Sequence, residues 1–454
     1  MFRGSLSVPA RALRLALPSA LLLPLATACG GDAGASSDAR TVTVTVGYQS
    51  KTINTVTAGT LLRSLGYFEE ELAARGRKDG VGYRVVWQDY ATGAPITAQM
   101  TAGKIDIGSM GDFPLLINAA RGKQLKEPTR LVSVTGYNLR GGLNTVVTAP
   151  GSPLRSLADL KGRKVSASVG SAADGTLVRA LRRAGIDPGK DVHKVNQQPS
   201  VGASALAAGS VDALSQFVAW PGLLAFQGKA TALYDGAELD LPTFHGVTVR
   251  AEFAQRRPAV LDAFLRAQRR ATDHLREQPV AAAESVAKDT GLPAEVVYLY
   301  NGAQGIATFD PALRPELIAA LKEDVPVLKE AGLVTDVDVD AFVDPAPLRR
   351  AVPDPAYREA TVPKPELWIA GQTSTRTFDS PAALLKAVKG AASVRAAYVP
   401  DAVTGTLWFA DRAVWVADGG SWRAFVTRSA AERYVAGHSG ARIVAYAEAV
   451  RLAS

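Results

Sequence analysis

The sequence predicts an α/β protein built on a mostly parallel sheet, followed by a separate small α+β domain at the C-terminus. Three observations carry that prediction. Short β-branched runs alternate with segments of helical apolar spacing from Thr41 onward. A proline-rich stretch then breaks the chain between Asp344 and Pro365. Beyond it, a tail holding Trp408, Trp415 and Trp422 has helices and strands of its own. A chain of 454 residues, 47% of them hydrophobic, fits two or three packing units.

The first segment reads as a secretory signal. Arg3, Arg11 and Arg14 stand without an acidic neighbour, an apolar run covers 15–25, and small residues lead to Cys29. Pro18 and Pro24 interrupt a run already too short to span a bilayer. Leu25-Ala26-Thr27-Ala28-Cys29 resembles a bacterial lipobox, which implies acylation of Cys29 and an anchor in the lipid bilayer. Cys29 is the only cysteine, so a disulfide framework and a cysteine metal cluster are both excluded. The Gly/Ala/Ser stretch at 29–40 reads as a flexible tether.

The formal charge is +8, and three of the arginines fall within the signal. This modest excess, without a Lys/Arg-rich run or interleaved aromatics, argues against a nucleic-acid partner. No later apolar segment approaches bilayer length, so a membrane permease would be another chain.

From Thr41, the alternation Thr-Val-Thr-Val-Thr-Val predicts a first strand that runs into a loop at Gly47-Tyr48-Gln49-Ser50. Leu61, Leu62, Leu65, Phe68 and Leu72 recur at helical spacing, with Gly76 as a stop. Tyr83–Trp87 predicts a strand, 96–103 a helix, and Ile105–Gly108 a short strand leading to Gly111-Asp112-Phe113-Pro114. In open α/β sheets ligands collect beyond the carboxyl ends of strands. The loops 49–55 and 111–114, and the one after Leu131–Val134, are therefore site candidates.

A second unit opens near Asn144–Val147, and 157–165 supplies a helix, a glycine turn and a strand. The loop Ser168-Val169-Gly170-Ser171 then delivers the chain to a helix whose face carries Leu177, Val178 and Leu181. Such a loop points free backbone N–H groups outward and makes an anion site. A second reading stays open, in which Ser171 or Asp174 only caps the helix. A strand over Gly246–Arg250 and helices over 259–276 and 311–332 complete this part.

The order of elements over Thr41 to Tyr357 resembles the solute-binding proteins of nitrate, sulfonate and taurine ABC importers. The residues that carry it are Gly47-Tyr48-Gln49, Ala102–Gly108, Leu157–Val165, Ala208–Ala213, Trp220-Pro221 and His245–Arg250. The resemblance implies a two-lobed periplasmic-binding-protein type II fold, with hinge crossovers near Gly136–Leu143 and Leu241–Gly246. It implies lobe 1 over 41–140 and 243–345, lobe 2 over 141–242, a linker over 346–366 and the small domain over 367–454. It also implies ABC permease subunits as partners, a lipid-anchored place on the extracytoplasmic face, and a monomer without cofactor.

Carried over position by position, the resemblance implies ligand contacts from Gln49, Ser50, Lys51 and Asn54, then Gly111, Asp112 and Phe113. Asn138 and Arg140 follow near the first crossover, His245 near the second. Lobe 2 adds Ser168, Gly170, Ser171, Asp174 and Trp220. Lys51 and Arg140 either supply charge to an oxyanion or stand as solvated surface charges, and Trp220 either touches solute or packs beneath it. Asp112 and Asp174 either pair with an amine on the solute, as in an aminosulfonate, or cap helices.

The tail, through Ala397–Gly405, Trp408-Phe409, Gly420–Phe425 and Tyr434–Gly440, resembles the copper-handling accessory lipoproteins of nitrous oxide reductase. It departs from them in the loop 417–420, where their methionine is absent. This domain has neither Met nor Cys for soft Cu(I), and His438 alone cannot hold an ion, so a docking or structural module is expected. The leading function is capture of a small anionic or zwitterionic solute, an aliphatic sulfonate or taurine ahead of nitrate. A copper chaperone acting through the tail is the alternative. A pyrimidine-synthesis-type enzyme is a third reading, with little support from four histidines, His193, His245, His274 and His438, that lack metal spacing.

Overall fold

Thr41–Tyr48 is strand β1; its valines turn inward while Thr41 and Thr43 stay at the surface. The computed structural model describes residues 41–354, 357 and 362–453; the signal, the tether and Cys29 lie outside the described residues. After β1 come β2 (Gly82–Asp89), β3 (Ile107–Gly111) and β4 (Thr129–Asn138). The chain then crosses to a second sheet, made of β5 (Asn144–Thr148), β6 (Lys164–Ala167), β7 (His193–Asn196), β8 (Ala213–Phe217) and β9 (Thr231–Asp235). It returns at β10 (Thr243–Arg250), and β11 (Thr308–Phe309) closes the first sheet.

The first sheet has the order β11-β4-β10-β3-β1-β2 and the second β7-β6-β8-β5-β9. Both are mixed, which corrects the expectation of mostly parallel sheets. β1 pairs in parallel with β2 and β3, but β10 is antiparallel to β3 and β4. In the second sheet β6 is parallel to β7 and β8, while β5 is antiparallel to β8 and β9. The reversed strands lie next to the crossovers, where the direct passage between sheets leaves no room for a helical return.

Burial of apolar side chains on both sheet faces holds each lobe together. In the first lobe Val44, Val46, Phe68 and Phe264 fill one side, and Ile96, Met110, Leu115 and Leu321 the other. In the second, Val146, Val165, Leu177 and Leu181 form the core. Gly66, in a left-handed conformation (φ 67°), splits the expected helix at 61–76 into Thr60–Leu65 and Tyr67–Asp79. The second piece runs past Gly76 and ends at Gly80, also left-handed. The long helices Pro258–Glu277 and Pro315–Glu330 match their apolar spacing, and no described helix is long and apolar enough to cross a membrane.

Past the proline-rich stretch come β12 (Glu366–Ile369), β13 (Arg376–Thr377), β14 (Val394–Pro400), β15 (Leu407–Phe409), β16 (Val414–Asp418), β17 (Ser421–Phe425) and β18 (Arg442–Val444). They form two small sheets, β13-β12-β14-β15 and β17-β16-β18. This unit shares a core with the lobes: Trp368, Tyr398, Trp408 and Phe409 join Ile53, Val56, Tyr298 and Leu299. Arg395 lies over Trp368 at 3.9 Å and pairs with Glu295 at 2.6 Å and Glu284 at 2.7 Å. The unit also reaches the second lobe, through Arg433 to Glu238 at 3.0 Å and the Thr404 hydroxyl to Asp235 at 2.8 Å.

Candidate functional site

Between the lobes lies a cavity of about 180 Å³. Gln49, Thr92, Gly93, Ala94, Gly111, Pro114 and His245 line it from the first lobe. The second contributes 168–172, Asn196, Gln197, Gln198 and Phe217. Every wall other than His245 follows or ends a strand, at the carboxyl ends of β1, β2, β3, β6, β7 and β8.

Three helices begin at this cavity: Gly93–Thr101, Asp112–Gln124 and Ala172–Arg183. The first N–H groups of a helix have no intrahelical partner, so those of the Gly93 and Ala172 helices meet the cavity with a partial positive charge, whereas in the Asp112 helix Phe113 N donates to the Asp112 carboxylate and Pro114 has no N–H. In the Ala172 helix the Ser171 hydroxyl oxygen accepts from Asp174 N (3.3 Å), which leaves its own proton and the N–H groups of Ala172 and Ala173 for a ligand. Ser168 is already engaged: it donates to the Gln197 carbonyl at 2.9 Å and accepts from Gln216 at 3.4 Å.

Among the described residues no Lys, Arg, Asp or Glu lines the cavity. Its one titratable group, His245, is only 4% exposed, and burial pushes its pKa down to about 3, so the ring is neutral at physiological pH. Its Nδ1 lies 2.6 Å from Asn54 Nδ2, and its ring passes over Gly111, its partner on β3. A Cβ at Gly111 would sit 3.1 Å from His245 Nε2 and 3.6 Å from the Ala172 Cβ, so this glycine leaves the space in which the lobes approach each other.

The structure brings Gln49, Gly111, Ser168, Gly170, Ser171 and His245 together at the cavity. The other sequence candidates lie outside its wall, each for a physical reason. Ser50 is turned to Asp89, bonding through its N–H (2.8 Å) and hydroxyl (2.6 Å). Lys51 is exposed, and its carbonyl accepts from Ala219 N. Asn54 stands behind His245. Asp112 is buried, its carboxylate accepting from Phe113 N (2.8 Å) and Phe244 N (3.3 Å); burial raises its pKa to about 6. Phe113 packs onto Gly175 of the other lobe.

Asn138 braces the crossover, donating to the Ile306 carbonyl (2.8 Å) and accepting from Arg140 N and Gly142 N at 3.0 Å each. Arg140 points away from the cavity, pairing with Asp240 at 3.0 Å and donating to the carbonyls of Val403 and Thr404. Asp240, in the second lobe, thus pairs with the charge that the sequence assigned to an oxyanion, and two carbonyls of the C-terminal unit brace it. Asp174 accepts from Gly170 N (3.0 Å) and pairs with Lys194 at 2.9 Å. Trp220 is the first residue of the helix Trp220–Phe226 and does not reach the cavity.

Sequence reasoning missed 92–94, Val169, Ala172, 196–198 and Phe217, and it reached Pro114 only as part of the candidate loop 111–114. For 92–94 the signal was present, since they come soon after the legible strand at Tyr83–Trp87; for 196–198 it was not. β7, His-Lys-Val-Asn, is too short and polar to announce itself.

In the C-terminal unit His438 stacks on Tyr434 with ring centroids 3.8 Å apart, and its Nδ1 lies 2.8 Å from the Tyr434 carbonyl. Among the described residues no group of three or more His, Cys, Asp or Glu is placed to hold a metal ion.

Residues 81–282 match the family model described as NMT1/THI5 like. The chain is 28% identical over 251 residues to a putative aliphatic sulfonates-binding protein of Escherichia coli, covering 55% of this chain and 76% of that one. It is 23% identical over 330 residues to a protein of the same description from Bacillus subtilis, covering 72% and 93%. Among solved structures, the alkanesulfonate-binding protein of Xanthomonas axonopodis pv. citri bound to MOPS aligns with a TM-score of 0.56 at 22% identity, over 67% of this chain and 99% of that one. The fold of the two lobes is that of the type II periplasmic binding proteins, and the homologues are solute-binding proteins.

Proposed function

We propose that this homologue of the sulfonate-binding proteins is the extracytoplasmic solute-binding subunit of an ABC importer. On this reading its solute is a small organic sulfonate with an uncharged tail. The observation that carries the proposal is the convergence of two helix N-termini and a neutral imidazole on a cavity that no charged side chain lines among the described residues. Oriented N–H dipoles suit a permanent anion, whose charge is spread over several oxygens and whose binding needs no proton transfer. Phe217, Pro114, Val169, Ala94 and Ala172 give the same cavity an apolar lining for a short carbon tail. At about 180 Å³ the cavity has room for a compact molecule.

The lack of a lining carboxylate argues against an amine on the solute. Asp112 and Asp174, the two acids that would have received one, are committed to backbone N–H groups and Lys194. Simple alkanesulfonates are therefore preferred over taurine. The cavity holds and releases its solute without altering it. Anchoring through Cys29, delivery to membrane permease subunits and a monomeric state complete the reading.

A thermal-shift and calorimetric series with ethanesulfonate, taurine, nitrate and sulfate tests it, because ligands that bind only the folded state raise the melting temperature. Ethanesulfonate is expected to shift the transition most, and taurine less. A shift from nitrate alone, or from none of the four, would refute the assignment.

A further inference from the structure

Asn54 lies outside the cavity wall yet makes the closest polar contact to the one titratable side chain inside it. Its Nδ2 is 2.6 Å from His245 Nδ1 and 3.3 Å from the Gly136 carbonyl oxygen. A carbonyl can only accept, so Gly136 demands the NH2 end of the Asn54 amide. The same NH2 then supplies its second hydrogen to the imidazole, which must accept at Nδ1. Asn54 Oδ1 is left buried without a partner, as expected of an amide oriented to serve two acceptors at once. A ring that accepts at Nδ1 carries its proton at Nε2. Among the described residues no hydrogen bond reaches that atom, and it borders the space over Gly111 that the Ala172 helix approaches from the other lobe.

We propose that Asn54 is a positioning residue: bound to the Gly136 carbonyl, it holds His245 as a fixed Nε2–H donor into the cleft, aimed at an acceptor atom of the solute. This rests on the solute reading above and deepens it, because it says how the first lobe grips the group that the second lobe meets with helix N–H dipoles. Burial keeps the ring neutral, so the donor persists across the physiological pH range without switching to imidazolium. Asn54 meets the ring at Nδ1 and Gly111 lies next to Nε2. The nearest carboxyl, Asp112, is held by Phe113 N and Phe244 N, and no cation lines the cavity.

The direct test is 15N NMR of the imidazoles in the full protein, with His245→Gln to assign the signal. Without ligand, His245 should show an imine-type Nδ1 and a protonated Nε2 from pH 5 to 8. Ethanesulfonate should shift the Nε2–H resonance. In Asn54→Asp the carboxylate accepts from Nδ1–H and leaves Nε2 bare. Ethanesulfonate affinity should then fall about tenfold or more at pH 7.5 and recover as acid restores the second ring proton. A merely structural Asn54 would weaken binding equally at every pH.

An Nδ1–H tautomer, or an imidazolium at pH 7, overturns the inference whether or not a sulfonate binds. So does an Nε2–H signal that stays unmoved when the protein is saturated with a bound anion. The expected tautomer in a protein that binds no sulfonate upholds the positioning role of Asn54 and refutes the solute reading instead.

Discussion

The ring of Phe113, in the first lobe, occupies the space that a side chain on Gly175, in the second, would need: a Cβ there would lie 2.1 Å from the Phe113 Cζ. Contact between the lobes therefore depends on a glycine inside a helix, where glycine otherwise costs stability. Gly175→Val should hold the lobes apart and weaken ethanesulfonate binding by about tenfold or more. Phe113→Ala in the same chain should restore much of it. Titration calorimetry with small-angle scattering checks this, and an unchanged Kd in Gly175→Val rules the contact out as a condition of closure.

Arg179 reaches across the same boundary. It pairs with Asp324 at 2.8 Å and donates to the Glu323 carbonyl at 2.6 Å, and burial with the nearby charge of Asp112 pushes the Asp324 pKa well above the usual range. Removing the cation leaves two acids in a poorly solvated place. Arg179→Met should destabilise the lobe-to-lobe contact by about 2 kcal/mol, roughly thirtyfold in Kd. The change should appear in the dissociation rate measured by stopped flow; an unaltered rate would contradict it.

His245 makes stability depend on pH in a definite direction. Its folded pKa, about 3, lies below the unfolded value of 6.5, so between these values the unfolded chain binds the proton first. Its contribution is complete above pH 6.5 and fades as pH falls, by up to about 1.4 kcal/mol per pH unit. Asp112 and Asp235 act oppositely: both are raised to about 6 from 3.8, so acidification across that window favours the folded state. The difference in urea stability between wild type and His245→Gln should therefore shrink or change sign from pH 7 to pH 4.5. A difference independent of pH would refute the burial argument.

Thr404 and Arg140 fasten the C-terminal unit to the crossovers, on buried Asp235 and on the carbonyls of Val403 and Thr404. Thr404→Val removes a donor from a carboxylate and should cost about 1–3 kcal/mol in denaturant unfolding. Arg140→Ala should lower stability too, and neither change should move the ethanesulfonate Kd by more than about twofold. Loss of binding in Arg140→Ala at unchanged stability would return Arg140 to the solute.

The lobes' architecture was legible because helix and strand leave different periods in the sequence, as in the Thr-Val alternation of β1 and the apolar stripe of Pro258–Glu277. Strand direction was not legible. β10 carries the same kind of β-branched run as a parallel strand, and only the crossover that precedes it makes it antiparallel. At the site, Gln49, Gly111 and the 168–171 loop were readable as loops at strand ends. Arg140 and Lys51 were misplaced because the sequence shows that a charge exists and not which way it points.

By itself, then, the sequence determined the alternation of strands and helices and the loop that leads into the Ala172 helix, since local spacing and turn residues encode these; the two lobes came from the resemblance to a family. Only the tertiary structure decided that no charged side chain lines the cavity among the described residues, that Asn54 stands behind His245, and that Arg140 turns to Asp240 while the tail joins both lobes. The reason is that burial and partner choice are properties of contacts between segments far apart in the chain, and such contacts leave no local pattern to read.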